Sequence, residues 1–338
     1  MGIKDFLLSS TSMLPSALAA VTQPLLESPA ETDFDTEHTH AEPLRERVSR
    51  SMQIANLVTV ILPFVGLVAA MALSWGHGFS WLHLGLLVGM YIVTVLGVTI
   101  GFHRLFTHKA FETSAPVKAI LALFGSMAIE GPLLKWVAMH RRHHQCSDAE
   151  NDPHSPHLHG HGFVGFISGL WHAHCGWLFR PHAPGLQKYV NDLAASPMLR
   201  RMSGLFPLWA LVSLLIPTVL GGLLTMTWMG ALLGFLWGGL ARIFLVHHVT
   251  WSINSVCHIW GGRPYRSSDE SRNNVVFGVL ALGEGWHNNH HAFPTSARHG
   301  LAWWQIDVSY IIIKVMEFFG LAWKVRVPGP SALAAKRR

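Results

Sequence analysis

Residues 81–101, "WLHLGLLVGMYIVTVLGVTIG", form an unbroken apolar block that leads directly into the histidine pair of "FHRLFTH" at 102–108. A helix needs about 20 apolar residues to cross a bilayer, and this block is long enough. The sequence therefore predicts a transmembrane helix whose end carries two imidazoles out of the membrane.

Three more apolar blocks have a similar length, at about 54–74, 205–224 and 228–246. Half of the chain is hydrophobic and only 13% is charged, whereas soluble proteins average about 25% charged residues. Short links at 75–80 and 225–227 would join the blocks in pairs. We therefore expect an all-α membrane protein with four transmembrane helices in two hairpins.

The positive charges indicate how the chain is oriented. The links at 75–80 and 225–227 contain no Lys or Arg, whereas the N-terminal segment, residues 102–204 and the C-terminal segment contain nearly all of them. The positive-inside rule places those three segments in the cytoplasm. The net charge of +6 suits anionic lipid headgroups, and no basic patch indicates a nucleic-acid partner.

The chain is expected to divide into three parts. Residues 1–50 include the acidic stretch "ESPAETDFDTEHTHAEP" and predict a mostly disordered cytosolic tail. Residues 51–325 contain the apolar blocks and the clustered histidines, and residues 326–338 are a short basic tail. Within the central part, the apolar segment at about 117–129 is too short to cross and predicts a helix in the membrane interface.

Two further histidine clusters, "HRRHHQ" at 140–145 and "HNNHH" at 287–291, have helical spacing. Residues at i, i+3 and i+4 share one helical face, which groups His140, His143 and His144, and likewise His287, His290 and His291. His103 and His108 differ, because residues five apart diverge by about 140° on an ideal helix. We expect that pair to converge only if the end of the helix bends or if the two rings reach different sides of a site.

The number of clustered histidines indicates the kind of metal site. Imidazole binds zinc, copper, iron and nickel, and eight such side chains exceed the four ligands of a tetrahedral zinc site. Two metal ions of higher coordination fit the count, and iron is the natural candidate. A metal transporter would need ionisable residues along a path through the membrane, and the blocks contain few besides His83 and Arg242.

Two residues near the clusters are candidates for supporting the metal ligands. Glu284 stands three residues before His287, which is the Glu-x-x-His spacing of soluble di-iron proteins. Because no other such pair lies near a cluster, Glu284 is expected to accept a hydrogen bond from a ligand N–H. His174, in "HAHCGWLF", is expected to support or pack at the edge of the site.

The three clusters, in this order, resemble the histidine boxes of membrane-bound fatty acyl desaturases. The flanking sequences "HRLFTHKAFET", "HRRHHQCSDAENDPHSP" and "GEGWHNNHHAFPTSARHGL" resemble the Δ9 (stearoyl-type) branch, and the resemblance covers roughly residues 50–325. It implies a mushroom-like fold of four transmembrane helices under a cytosolic cap, with a di-iron centre of nine histidines. The ninth is His258 in "NSVCH", where Asn254 would hold a metal-bound water.

The resemblance also implies how the ligands divide between the two irons. One iron would take His103, His108, His140, His144 and His290, and the other would take His143, His258, His287 and His291.

The implied activity is the O2-dependent introduction of a cis double bond, at carbon 9, into a saturated acyl chain. A tunnel beside the irons would hold the chain and set the position of the bond. Trp251 is expected to line this tunnel, and Leu87 and Tyr91 are candidates for closing its far end. A fatty acyl hydroxylase shares the first hydrogen abstraction, so the boxes do not separate the two reactions.

The acyl carrier and the electron donor stay open at this point. Ala138 and Met139 replace the charged pair that helps animal acyl-CoA desaturases hold CoA, which favours the bacterial and plant types acting on acyl-CoA or acyl-lipid. Four basic residues are candidates for meeting a phosphate, anionic lipid or an acidic donor, namely Lys135, Arg141, Arg142 and Arg180.

No cytochrome b5-like domain or dinucleotide-binding motif is apparent, so electrons are expected from a separate protein, such as a ferredoxin, a rubredoxin, a flavin reductase or a cytochrome b5. The expected location is a bacterial inner (cytoplasmic) membrane, with the histidine boxes on the cytoplasmic side.

Overall fold

The computed structural model describes residues 49–75, 80–180 and 185–338. The predicted disordered tail at 1–50 lies almost entirely outside the described residues. In chain order, the first helices are α1 (Arg50–Ser74), α2 (Trp81–Thr107), α3 (Ala115–Ser126), α4 (Leu133–Cys146), α5 (Gly162–His174), α6 (Asn191–Ala194) and α7 (Pro197–Gly204). They are followed by α8 (Phe206–Thr225), α9 (Trp228–His258), α10 (Val275–Leu280), α11 (His287–Ala292), α12 (Val308–Phe318) and α13 (Pro330–Lys336). Strands β1 (Glu112–Thr113) and β2 (Ala322–Trp323) pair antiparallel.

Four of these helices, α1, α2, α8 and α9, are long and apolar enough to span a membrane. The prediction of four such helices is confirmed, and their beginnings agree with it to within a few residues. Helices α2 and α9 continue past their predicted ends at 101 and 246, to Thr107 and His258. These extensions carry the first histidine box and His258, so the apolar blocks alone could not reveal them.

The four apolar helices differ in how much of their surface is buried. Only 17% of the apolar window is buried in α1 and α8, against 50% in α2 and 56% in α9. Side chains such as Leu57, Ile61, Leu211 and Leu215 are exposed on the outer two helices, as lipid-facing residues would be. Helices α2 and α9 are therefore central. The first histidine box and His258 lie at their C-terminal ends.

Helices α8 and α9 approach closely because their facing residues are small. A Cβ atom on Gly234 would collide with the carbonyl of Pro217, and one on Gly221 would collide with the carbonyl of Gly230. Small residues allow the backbones of membrane helices to pack in direct contact. Met226, in the left-handed conformation with φ 54°, turns the chain between the two helices.

Arg242, the one Arg or Lys in the predicted fourth block, is fully buried in α9. Its guanidinium donates to the backbone oxygens of Gly238 and Met127 and, at 2.6 Å, to the hydroxyl of Ser213. A buried cation is tolerable only when its donors are satisfied. Arg242 therefore ties α9 to α8 and to the end of α3 and does not mark an ion path.

Helix α3 occupies most of the segment predicted to lie in the membrane interface. Its buried residues, Leu121, Ala122 and Gly125, face α2. Gly97 and Gly125 lie so close together that a side chain at Gly97 would strike the backbone of α3. Helix α3 thus packs against the part of α2 that directly precedes the first histidine box.

The C-terminal segment returns to the histidine-bearing part of the fold. In the predicted basic tail at 326–338, α13 places the Nζ atom of Lys336 2.6 Å from the carbonyl of Ala292. The backbone N–H of Arg338 donates to Pro264 at 2.9 Å. This segment is therefore packed against the third histidine box.

We predict that the α8–α9 contact contributes to stability through close packing. Gly234→Val should lower the melting temperature of the detergent-solubilised protein, because overpacking a close contact costs about 1–3 kcal/mol. Gly89→Val in α2 is the matched control, since no heavy atom lies within 4 Å of a Cβ added there. Equal melting temperatures for the two variants would contradict the packing role of Gly234.

Candidate metal centre

Four helices bring the clustered histidines together. The first box lies in the last turns of α2, the second in the C-terminal half of α4, the third opens α11, and His258 ends α9. Each box is thus fixed by a helix with its own packing. Imidazoles held in this way cannot easily move away from one another.

The first box converges because the end of α2 is π-helical. Residues Gly97–Thr107 form a π-helix, in which hydrogen bonds join residues five apart. The N–H of His108 accordingly donates to the carbonyl of His103 at 3.1 Å. The two rings therefore lie one turn apart, with centroids 4.8 Å from each other. The sequence interpretation expected either a bent helix end or rings that reach different sides of a site, whereas the structure widens the helix.

The clustered histidines form two groups, and in each group the ligand nitrogens lie within 4.8 Å of one another. The first group consists of His103, His108, His140, His144 and His290, and the second of His143, His258, His287 and His291. Within the first group, Nε2 of His290 lies 3.0 Å from that of His103 and 2.9 Å from that of His144. In the second, the Nε2 atoms of His258 and His287 are 3.1 Å apart.

Four carboxylates fix the orientation of four of these rings through the other ring nitrogen, Nδ1. The pairs are His103 with Glu284 at 2.6 Å, His143 with Asp152 at 3.0 Å, His258 with Asp148 at 2.7 Å and His291 with Asp269 at 2.5 Å. Because a carboxylate only accepts, Nδ1 carries the proton and Nε2 keeps its lone pair. The carboxylates thus select the tautomer that can bind a metal.

Several buried ring nitrogens have no hydrogen-bond partner among the described residues. They include the Nε2 atoms of His108, His143 and His291. An unpaired buried acceptor costs about 1–3 kcal/mol, and a metal ion at the centre of each group would satisfy these atoms. The all-nitrogen donor set fits zinc, copper, iron or nickel, and two groups fit two ions.

Burial keeps most of these imidazoles neutral at physiological pH. Burial first, and neighbouring histidines second, hold the pKa well below the usual value in five rings: His108, His140, His144, His287 and His290. Burial also lowers the pKa of His291 to about 4. His143 is the exception, since Asp152 outweighs burial and raises its pKa. Neutral imidazole is the form that binds metal.

The four carboxylates are ionised in the same interior. Burial would raise the pKa of Asp148, Asp152 and Asp269, but their hydrogen bonds and the nearby histidines outweigh it and lower the pKa. The pKa of Glu284 lies well below its usual range, because His103, His299 and Arg104 outweigh burial.

Glu284 belongs to a buried network that extends beyond the histidines. Arg104, which follows His103 in the first box and is fully buried, donates to Glu284 at 3.1 Å and pairs with Asp307 at 2.9 Å. The other oxygen of Glu284 lies 3.2 Å from Nδ1 of His299. Glu284, which was expected to support a metal ligand, thus contacts a histidine of the first box, His103.

A largely apolar cavity of about 290 Å³ lies against both histidine groups. Its wall includes His103, His140 and His287. Trp251 and Asn254, which were expected beside the tunnel and the metal, also line it. An acyl chain placed there would have its methylenes next to the ligand cluster.

Leu87 and Tyr91 are not among the residues that line this cavity. The hydroxyl of Tyr91 donates to the carbonyl of Leu280 at 2.7 Å, and its ring packs against Val95 and Val98. Val95 and Val98 themselves line the cavity from α2. Val95 and Val98, one to two turns nearer the first box than Tyr91, thus line the cavity, and the role of Leu87 and Tyr91 at the far end of a tunnel stays a prediction.

His174 lies outside both groups. Its Nδ1 atom is 3.0 Å from the hydroxyl of Ser255, and its Nε2 atom is 2.9 Å from His248. It therefore contacts α9 one residue beyond Asn254, and none of its hydrogen bonds goes to a box histidine.

The basic residues considered as phosphate contacts differ in their surroundings. Arg141 pairs with Asp192 at 2.7 Å and also donates to three backbone carbonyls. Arg142 donates to the carbonyl of Asn151 at 3.0 Å. Lys135 lines the cavity, and exposed Arg180 follows the cavity-lining Leu178 by two residues. Two of the four side chains are thus engaged within the protein.

Sequence reasoning missed the three aspartates and one cavity residue, Glu130. The aspartates lie in loops, and their signal was the density of acids in "SDAENDPH" and "SSDE". Glu130 lines the apolar cavity, and Nε1 of Trp136 donates to it at 2.9 Å. Burial raises the pKa of Glu130 to about 7, because its effect outweighs that of the hydrogen bonds from Thr250 and Trp136, which lower the pKa.

Comparison with known proteins identifies the family. The fatty acid desaturase profile matches residues 79–308, a stretch that contains all three boxes. The chain belongs to the fatty acid desaturase family. The prediction of that family is therefore confirmed, and the histidine groups and apolar helices fit an iron-dependent oxidoreductase of membrane lipid metabolism.

Relatives of this desaturase-family protein act on different acyl substrates. A hex-5-enoyl-[acyl-carrier protein] acetylenase from Moorena producens is 43% identical over 279 residues, which cover 82% of this chain and 87% of the relative. An sn-1 stearoyl-lipid 9-desaturase from Anabaena variabilis is 36% identical, covering 78% and 92%. An icosanoyl-CoA 5-desaturase from Limnanthes douglasii is 35% identical, covering 94% and 86%. The Δ9 position therefore stays a prediction.

We predict that Glu130 makes stability depend on pH. Its raised pKa means that folding is favoured while the carboxyl is protonated, and that stability is lost as the pH rises from about 4.5 through 7. Glu130→Gln should therefore raise the melting temperature at pH 8 and leave it nearly unchanged at pH 5. A pKa shift of this size corresponds to a change of at most about 3 kcal/mol in the free energy of unfolding.

Glu150→Gln, which changes an exposed carboxyl, is the control for this measurement. The role of Glu130 would be refuted if both variants changed the melting temperature alike at pH 8.

Proposed function

We propose that this protein is an oxygen-dependent fatty acyl desaturase that introduces a cis double bond at carbon 9 of a saturated acyl chain. The observation that carries the proposal is the position of two convergent histidine groups on the wall of an apolar cavity. Nitrogen atoms that can bind metal, placed beside a largely apolar cavity, suit the oxidation of an unactivated methylene. The stearoyl-lipid 9-desaturases among the relatives support carbon 9.

The nine histidines would hold two iron ions, one in each group, and Asn254 would hold a water at the second. Iron bound there would supply, from O2, the oxidising power to remove two hydrogens from the chain. O2 takes up those hydrogens, two electrons and two protons, and leaves as two waters. The electrons would come from a separate donor protein, such as a ferredoxin, a rubredoxin or a cytochrome b5 or flavin reductase system.

The protein's own residues would position the chain and exclude water. Trp136 stacks on His140 with ring centroids 5.1 Å apart and lines the cavity. Trp251 lines it from α9, so two indoles would confine the methylenes beside the ligand groups. Confinement of one C–C bond at a fixed distance from the oxidant sets the position of the product bond.

The membrane arrangement belongs to the same proposal. We place α1 with α2 and α8 with α9 as two hairpins, with the histidine groups in a cytosolic cap at a bacterial inner membrane. The absence of Lys and Arg from the link at 225–227 supports this orientation. The substrate would be a long saturated chain on CoA or on a membrane lipid.

The proposal is tested by expressing the full chain in a desaturase-deficient host and locating new double bonds by gas chromatography with mass spectrometry. We expect monounsaturated chains with a cis bond at carbon 9. A double bond at another carbon would overturn the Δ9 assignment alone. A hydroxylated chain or a triple bond would instead assign hydroxylase or acetylenase activity.

We predict that His143→Ala abolishes turnover and lowers the iron content of the purified protein, because it removes one proposed ligand and the closest ion-pair partner of Asp152. Membrane insertion should be unchanged, since the apolar helices are intact. His174→Ala is the control, because that ring lies outside both groups. Full activity of the His143 variant would show that the ligand assignment is wrong.

A further inference from the structure

The two histidine groups differ in the charge that surrounds them. In the second group, three of four rings donate to an aspartate, namely His143 to Asp152, His258 to Asp148 and His291 to Asp269. In the first group, one ring of five, His103, donates to a carboxylate. The donor atoms are imidazole nitrogens in both groups, which therefore differ in the number of rings and in the carboxylates behind them.

The carboxylate of the first group is also offset by a cation. Arg104 donates to Glu284 and Asp307 together, so this buried trio has a net charge of about −1. Among the described residues, the three aspartates of the second group form ion pairs only with histidines. Their combined charge of about −3 is therefore not offset by Arg or Lys.

Neutral donors hold those three aspartates in place. The backbone N–H of Glu270 donates to Asp148 at 2.9 Å, and that of Asp148 donates to Asp152 at 2.8 Å. The backbone N–H of Ser271 donates to Asp269 at 3.1 Å. Such bonds fix a carboxylate without removing its charge, so the negative field at the second group is permanent.

We propose that the two metal positions are unequal. The four-histidine position holds its iron more tightly. It also carries the ferric ion when the fully ferrous pair has lost one electron. This inference rests on the proposed di-iron function. A carboxylate on Nδ1 makes an imidazole a stronger donor. Negative charge near an ion also favours the higher oxidation state. The fifth imidazole of the first group adds a neutral ligand but no charge.

The first test uses the full chain in detergent, loaded with two ⁵⁷Fe(II) ions under anaerobic conditions. The number of bound ions is determined by mass spectrometry. His108→Ala and His287→Ala, each expected to lose one position, provide the Mössbauer reference for the remaining ion. Partial removal of iron from the wild type by a chelator should leave one ion with the spectrum of the His108→Ala protein. His144→Ala replaces that reference if His108→Ala does not fold.

The inference is overturned if the remaining ion matches the His287→Ala protein, or if both ions leave together. Binding of fewer than two ions by the untreated wild type would instead refute the proposed di-iron function. In one-electron-oxidised wild type, the ferric signal should likewise belong to the position that His108→Ala retains. A ferric signal at the other position would overturn the redox part.

Matched variants identify the cause. Asp269→Asn should weaken iron binding at the second position by about 10–100-fold, the usual cost of losing such a partner. Glu284→Gln should weaken only the first position and leave the order of iron loss unchanged. If Asp269→Asn does not fold, Asp148→Asn serves the same purpose. Unchanged iron affinity in the aspartate variants would show that the carboxylates do not set the inequality.

Discussion

The fold depends on keeping nine imidazole lone pairs buried and aimed at two points. Facing Nε2 atoms that carry neither a proton nor a metal repel one another through their lone pairs. The hydrogen bonds within a group do not remove this repulsion for all of its rings. The protein meets the constraint with carboxylates on the outer nitrogens and with rigid helices behind each box.

Much of this arrangement could be predicted from the sequence. The i, i+3, i+4 spacing of His140, His143 and His144 placed them on one face, and the structure divides them between two adjacent groups. The apolar blocks located the four long helices. Hydropathy could not show where α2 and α9 end, because their last turns are polar and are kept helical by contacts with the rest of the fold.

Other features depend on contacts that periodicity does not encode. The π-helical turn at the end of α2 cannot be read from residue spacing that assumes an α-helix. The aspartates of the second group lie in loops, and the rings they contact are from 9 residues away, for Asp152 and His143, to 110, for Asp148 and His258. Leu87 and Tyr91 lie on the central helix α2, but hydropathy does not show which of its turns lines the cavity.

The C-terminal helix α13 has a practical consequence. Lys336 donates to the carbonyl of Ala292, the residue directly after His291, and its ammonium lies 5.3 Å from the ring centroid of Phe293. Any affinity tag or fluorescent fusion joined after Arg338 would load this contact and, through it, the histidines of α11. Where the protein is tagged for purification therefore bears on how much metal it keeps.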